Sequence, residues 1–419
     1  MNRTNADNII FHDPLIVKHE GEYYCFSTDQ QVNGVQIARS NNLLDWELLA
    51  PGVADIPEEL TRHLGKVYFW APELVERDGK FRLYSCSSKF GKTQSVIALF
   101  ESDEIVGPYE FRGEVLKTYA REDKLSPNAL DANIIRSKAG NDYLIYGSFF
   151  AGIFAVKLNE DGFIAEDSYG TLIAGGNHTA IKGAYMHYRE EEDLYYLFVS
   201  YGSLANDYNI RVASSKSVTG PFVDSQGFKL TDMDPIRSVG DKILSSYNFD
   251  IQGEIGYRAP GHNSLLHIDE GTFIVHHVRL EDRSRMPELQ VRKLYFLEDG
   301  KIIASPVVLN SPENLNENRD LIFEQVISPN VDFDFSQFKL SVIVFDRFNN
   351  SIVYGRKLAS STLNIRVLDE KYYVLDLDDQ SYKGLLIKND NKYYLATVNE
   401  VGEALWVLLY KDEEVGFEK

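Results

Sequence analysis

A hairpin unit recurs five times along this 419-residue chain, and no other feature restricts its possible folds as much. The first copy is IIFHDPLIVKHEGEYYCFST, Ile9 to Thr28. A polar cluster leads into an apolar strand, a tight glycine turn and a second apolar strand. Later copies read WAPELVERDGKFRLYSCSS from Trp70 and LDANIIRSKAGNDYLIYGSF from Leu130. The last two are IKGAYMHYREEEDLYYLFVSYGS from Ile181 and GHNSLLHIDEGTFIVHHV from Gly261. Anchored on Asp13, Ala71, Asp131, Lys182 and His262, they repeat every 50 to 80 residues, roughly.

Each copy has the alternating or continuous apolar character of a β-hairpin, with turns rich in Gly, Asp and Glu. A single hairpin cannot bury both of its faces. The spacing leaves room for two more strands, which makes a four-stranded blade, and five blades around an axis make a β-propeller. The added strands are expected within Val35–Leu49, Ser95–Phe111, Gly152–Phe163, Asn209–Asp224 and Pro287–Pro306. The first strand of each hairpin then lies nearest the axis. His12, Asp13, Asp131, Lys182 and His262 should therefore meet at one mouth of the central channel. The loops Lys117–Pro127 and Asn248–Arg258 should set how deep that mouth is.

A polar stretch, Ser311 to Asp320, reads as a linker. It divides a propeller at 1–312 from a second all-β domain at 313–419, a small barrel or sandwich with no catalytic cluster of its own. The net charge of −20, from 43 basic and 63 acidic residues, argues against binding nucleic acid, which needs clustered Lys and Arg. No apolar run of about 18 residues predicts a membrane span. The first ten residues lack the apolar core of a signal peptide, so a cytoplasmic chain or a processed secreted one is expected. Cys25 and Cys86 occupy matching places in two hairpins and read as buried free thiols.

Asp13 precedes Pro14 at a strand start, and Asp131 precedes the strand beginning at Ala132. Taken singly, each reads as a turn residue satisfying local backbone. Two carboxylates at one mouth match the machinery of glycoside hydrolysis, where one activates water and the other donates a proton.

Five motifs then fall in order: His12-Asp13-Pro14, Trp70-Ala71-Pro72-Glu73, Asp131-Ala132-Asn133-Ile134, Tyr146-Gly147-Ser148-Phe149 and Gly261-His262-Asn263-Ser264. Together they resemble glycoside hydrolase family 43, and most of all its endo-α-1,5-L-arabinanase-like branch. The resemblance implies a five-bladed propeller and inverting hydrolysis of arabinan or a related plant oligosaccharide or polysaccharide. It implies that Asp13 is the general base and that Asp131 orients the acid and raises its pKa. It implies that His262 binds a central calcium ion, largely through waters. His12, Trp70, Glu73, Ser148 and Phe149 would line the sugar site, with Trp70 and Phe149 either stacking on sugar faces or packing between blades.

The pattern departs at the acid. The family carries Glu at the head of the fourth blade, where this chain has Lys182. Lysine, with an ordinary pKa of about 10.4, is a poor proton donor, and an ion pair with Asp13 or Asp131 is expected instead. Glu190, Glu191 and Glu192 lie at the far end of the hairpin, so Glu73 is the better local substitute. Three readings follow: a glycosidase with an altered acid, a propeller that binds carbohydrate without cleaving it, and an enzyme that takes a uronate or phosphorylated glycan through Lys182.

Overall fold

The computed structural model describes residues 9–53, 55–121, 126–232, 238–281 and 286–411. Five antiparallel sheets are each built from consecutive strands. Blade one is Leu15–His19, Glu22–Ser27, Gln36–Ser40 and Glu47–Leu48, and blade two is Trp70–Arg77, Lys80–Ser88, Ser95–Ser102 and Glu110–Thr118. Blade three is Asn133–Arg136, Asp142–Tyr146, Ile153–Lys157 and Thr171–Ala174. Blade four is Ile181–Arg189, Leu194–Tyr201, Asn209–Ser215 and Asp241–Leu244. Blade five is Tyr257–Ile268, Gly271–Leu280, Glu288–Phe296 and Ile302–Ala304. Each first strand touches the first strand of the next blade, and that of blade five touches that of blade one, so the ring closes as a propeller.

Two outer strands fall later in the chain than expected. In blade four, Val223 makes only isolated bridges, to Ser214 and Lys229, and the fourth strand is Asp241–Leu244. In blade three, Phe163 belongs to a turn closed by the Leu158–Ile164 bridge, and the fourth strand is Thr171–Ala174. Residues 122–125 of the Lys117–Pro127 loop lie outside the described residues.

The core is a set of seams between blades. Phe26, Leu83 and Phe100 fill the seam between blades one and two, and Tyr84, Leu144 and Tyr146 the next. Ile145, Ile181 and Leu197 fill the third, and Phe11, Trp46, Phe273 and Val275 join blade five to blade one. Between blades four and five the seam continues into the C-terminal domain, through Ile343, Phe345 and Trp406.

That domain is a single curled sheet of eight strands, a half-barrel, in keeping with the small all-β barrel or sandwich expected. One of its segments, Val353–Tyr354, pairs in parallel with Tyr247–Asn248 and so widens blade five. Ser341 Oγ donates to the Phe249 carbonyl at 2.5 Å, and Lys392 pairs with Glu254 at 2.7 Å. The C-terminal domain thus holds most of the Asn248–Arg258 loop in place. The stretch read as a linker is packed as well. Pro312–Asn314 forms a 3₁₀ turn, Asn314 is buried, and Arg319 pairs with Asp45 of blade one at 2.6 Å.

Candidate active site

All five inner strands bear the same irregularity at the same place. Trp70 pairs with Cys86 and Glu73 with Tyr84, so three steps on the inner strand match two on its neighbour. The same slip separates Lys182 from Tyr185 and Gly261 from Ser264. In blades one and three it is marked by the bonds Thr28 N–H to His12 O and Gly147 N–H to Leu130 O. The extra residue is left-handed each time: Asp13 (φ 52°), Ala71 (39°), Asp131 (58°), Gly183 (57°) and His262 (48°). Bulges re-aim side chains beside functional sites, and a left-handed non-glycine residue costs about 1–3 kcal/mol. This girdle is what points Asp13, Asp131 and His262 inward. It also shifts the blade-four alignment by one residue. Gly183 is the counterpart of Asp13, and Lys182 stands in the row of His12, Trp70, Leu130 and Gly261.

Four of the five bulge N–H groups donate to a side chain on or just past the second strand of the preceding blade. Ala71 donates to Thr28 Oγ1 at 2.9 Å, His262 to Ser200 Oγ at 2.9 Å, Asp13 to His277 Nδ1 at 3.3 Å and Asp131 to Cys86 Sγ at 3.5 Å. Blade three has Gly147 at the corresponding position and no side chain to offer. There the Gly183 N–H donates to Asp131 Oδ2 at 3.0 Å instead. Cys86 is therefore the counterpart of Thr28, not of Cys25, although both thiols are buried and free as expected.

Asp13 is the most enclosed of the acidic groups at the mouth. Its Oδ2 accepts from the Thr28 hydroxyl at 2.7 Å, and its Oδ1 lies 3.1 Å from His262 Nδ1, 3.5 Å from His12 Nε2 and 3.7 Å from His277 Nδ1. Burial pushes its pKa up, but the three imidazoles and the hydroxyl outweigh burial and hold it well below the usual carboxylate range. Asp131 moves the other way, because burial and the nearby Asp13 charge raise it against His262, the Gly183 N–H and Lys182. Two carboxyl groups are thus pushed apart, the pattern that separates a base from its partner.

Lys182 does not form the expected ion pair. Its Nζ lies 4.6 Å from the centre of the Phe149 ring and 4.8 Å from that of Tyr208, and among the described residues no carboxylate oxygen is within ion-pair distance. The ammonium faces the two rings instead, while Asp131 Oδ2 accepts from the Gly183 N–H and Asp13 from the Thr28 hydroxyl. Burial lowers the ammonium's pKa, opposed at longer range by Asp131 and Asp13. Tyr208 owes its seat to Gly261, where an added Cβ would lie 1.9 Å from the ring.

Comparison with known proteins places the chain in a family. The sequence profile of glycosyl hydrolases family 43 matches residues 8–302. The chain belongs to glycosyl hydrolase family 43. The extracellular endo-alpha-(1->5)-L-arabinanase of Thermotoga petrophila is 33% identical over 337 residues, which cover 71% of this chain and 70% of that protein. Extracellular endo-alpha-(1->5)-L-arabinanase 2 of Bacillus subtilis is 28% identical over 442 residues, covering 94% and 92%. The crystal structure of the endo-1,5-alpha-L-arabinanase from Thermotoga petrophila superimposes with a TM-score of 0.82 at 27% identity, covering 96% of this chain and 98% of that one. The family 43 chain described here is an arabinanase-like glycoside hydrolase, and its similarity to these relatives runs through the C-terminal domain.

Some expected sugar-lining residues of this family 43 protein are placed otherwise. Glu73 is buried in the seam between blades two and three, not at the mouth. Its Oε1 accepts from Asn133 Nδ2 at 2.9 Å and from the Ile134 N–H at 3.1 Å. It is neither a sugar contact nor a substitute acid. Burial raises its pKa to about 8 against those two bonds. A carboxyl protonated in the fold but ionised when unfolded makes stability fall as pH rises from about 4.5 to 8. Glu73→Gln keeps the Oε1 acceptor and removes the titration. Thermal melts should therefore show the variant at least as stable as the native protein at pH 8, with its relative advantage gone at pH 4. Parallel pH dependence in the two proteins would contradict this.

Ser148 is buried, and its carbonyl accepts from Asn128 Nδ2 at 3.2 Å. Phe149, left-handed at φ 55°, has its ring beneath Lys182 and so serves as a clamp for that ammonium. Trp70 is half-buried against the seam of blades two and three. His12 is half-buried, with its ring centre 4.7 Å from that of His277. Thr28, Ser200, Tyr208 and His277 escaped the sequence reading. The Thr closing FST and the double His of IVHHV were visible, but their work is done across a blade boundary.

For the calcium ion implied by the resemblance, the donor set is poor in oxygen. Ligand atoms of His12, Asp13 and His277 lie within 4.8 Å of one another. Two imidazoles and one carboxylate suit a borderline divalent ion, whereas calcium takes six to eight oxygens. His262 turns Nδ1 to Asp13, which leaves only Nε2 for a ligand. A calcium ion caged directly by protein does not fit these residues; one held largely through waters would take His262 Nε2 from this chain.

Proposed function

We propose that this chain binds arabinan or a related oligosaccharide at the propeller mouth and cleaves it by inverting hydrolysis, with an altered acid. The observation that carries this reading is the Asp13 carboxylate, held ionised and oriented by Thr28 and three imidazoles. Asp13 takes a proton from the attacking water. Asp131 stands beside Lys182 and balances its charge. Lys182 supplies the proton for the leaving oxygen, and burial shifts its acidity toward neutral pH. An ammonium remains a weaker donor than a carboxylic acid, so turnover is slow. The relatives are named as extracellular enzymes, which supports a secreted setting, and no helix among the described residues is long and apolar enough to cross a membrane.

The test is reducing-sugar release from linear arabinan. The native chain should show slow turnover. Lys182→Glu should raise it by about 10²-fold or more, within the range general acid catalysis supplies. A second reading, carbohydrate binding without cleavage, is favoured by the aromatic clamp on Lys182. It would be adopted if the native chain binds arabino-oligosaccharides and releases no sugar. Native turnover at the rate of Lys182→Glu would remove Lys182 from the acid role.

A further inference from the structure

Among the described residues, Lys182 Nζ has no hydrogen-bond acceptor, although the ammonium carries three donors. The side chain is half-buried, and the rings of Phe149 and Tyr208 cover two of its sides. Asp131, Asp13 and Asp207 act on it only at longer range, and none places a carboxylate oxygen within ion-pair distance of Nζ. Aromatic faces favour a cation but accept none of its hydrogen bonds strongly. A neutral sugar hydroxyl would satisfy one N–H. An anionic oxygen would also offset the cost of keeping an ammonium partly out of water.

We propose that Lys182 is the docking point for an anionic group on the glycan, either the carboxylate of a uronic acid residue or a phosphate ester. This deepens the reading of the mouth as a glycan site, on which it rests. It does not rest on turnover. The anion seats on Nζ beside the phenyl and phenol faces.

Isothermal titration of the full chain at pH 7 and low salt tests this with galacturonic acid, galactose 6-phosphate and galactose. At least one anionic sugar should bind about tenfold more tightly than galactose, the scale of one charge-assisted hydrogen bond. Lys182→Met should lose the preference and Lys182→Arg should keep most of it, both with the native melting temperature. A preference for galacturonic acid alone assigns the carboxylate, and one for galactose 6-phosphate alone assigns the phosphate. Equal affinity for the three sugars, no millimolar binding of either anion, or a preference that survives Lys182→Met would overturn the proposal. Arabinan hydrolysis is measured separately. An inactive protein that keeps the anion preference retains this assignment, and an active one without it loses this assignment alone.

Discussion

A chain ended at residue 312 is expected to fail as a folded propeller. The cut falls at what the composition marks as a domain boundary, but the core does not stop there. Tyr196, Phe198, Tyr247 and Leu294 of blades four and five share one cluster with Ile343, Phe345 and Trp406. Trp406 is fully buried, its ring 5.1 Å from that of Tyr247 and 4.8 Å from that of Phe345. Truncation also removes acceptors from two buried cations. Lys242 Nζ loses the carbonyls of Asp346 and Asn349, and Arg211 loses the carbonyl of Arg347 while keeping Asn209, Ser238 and Gly240. The gentler Trp406→Ala should lower stability by about 3–5 kcal/mol through the cavity it opens. Denaturant unfolding of that variant and solubility of the truncated chain are the measurements. A truncated protein that melts cooperatively at the full chain's temperature would show the two parts to be independent.

Asp13→Asn is expected to remove most turnover on arabinan, by about 10²–10⁴-fold or more, because it deletes the base while keeping the shape. The surrounding donors make a second, more selective test. Thr28→Val removes the hydroxyl that donates to Oδ2 and leaves the imidazoles in place. Asp13 acts when ionised and its pKa is depressed, so native activity should persist below the usual carboxylate range. Losing the Thr28 donor raises that pKa, so the acid limb of the pH–rate profile should move to higher pH. The same depression stabilises the fold above about pH 4, the ordinary Asp value, and that contribution is lost as pH falls below it. An acid limb unmoved in Thr28→Val would mean that Asp13 is not the group being titrated.

The repeated hairpins made the blades readable, because alternation and glycine turns are local signals. The convergence of Asp13, Asp131 and His262 followed from topology alone. What could not be read was which partner each group would take. Lys182 lies near two carboxylates, as its position implied, yet its ammonium turns to the rings of Phe149 and Tyr208. Glu73 heads an inner strand like the site residues, but it lies beyond the bulge and so turns into a seam. The outer strands of blades three and four slipped because long turns intervene, and turn length leaves little trace in apolar pattern. The shared core stayed hidden because a polar stretch such as Ser311–Asp320 looks the same in sequence whether it floats or is strapped down.

That strap has a consequence for how the molecule is made. Val353–Tyr354 widens blade five, but among the described residues no strand of the last blade is lent to the first. The join between them is held by side chains, including Leu321 and Phe323 packed on the Phe11, Trp46 and Phe273 cluster, and by Arg319 on Asp45. These residues lie beyond every blade in the chain. During synthesis, blade one therefore leaves the ribosome with one flank bare and waits for about two-thirds of the polypeptide before Leu266, Phe273 and Val275 of blade five begin to cover it. The ring is latched last, by the segment that leads into the half-barrel, and the nascent chain must keep the Phe11–Trp46 face from strangers until then.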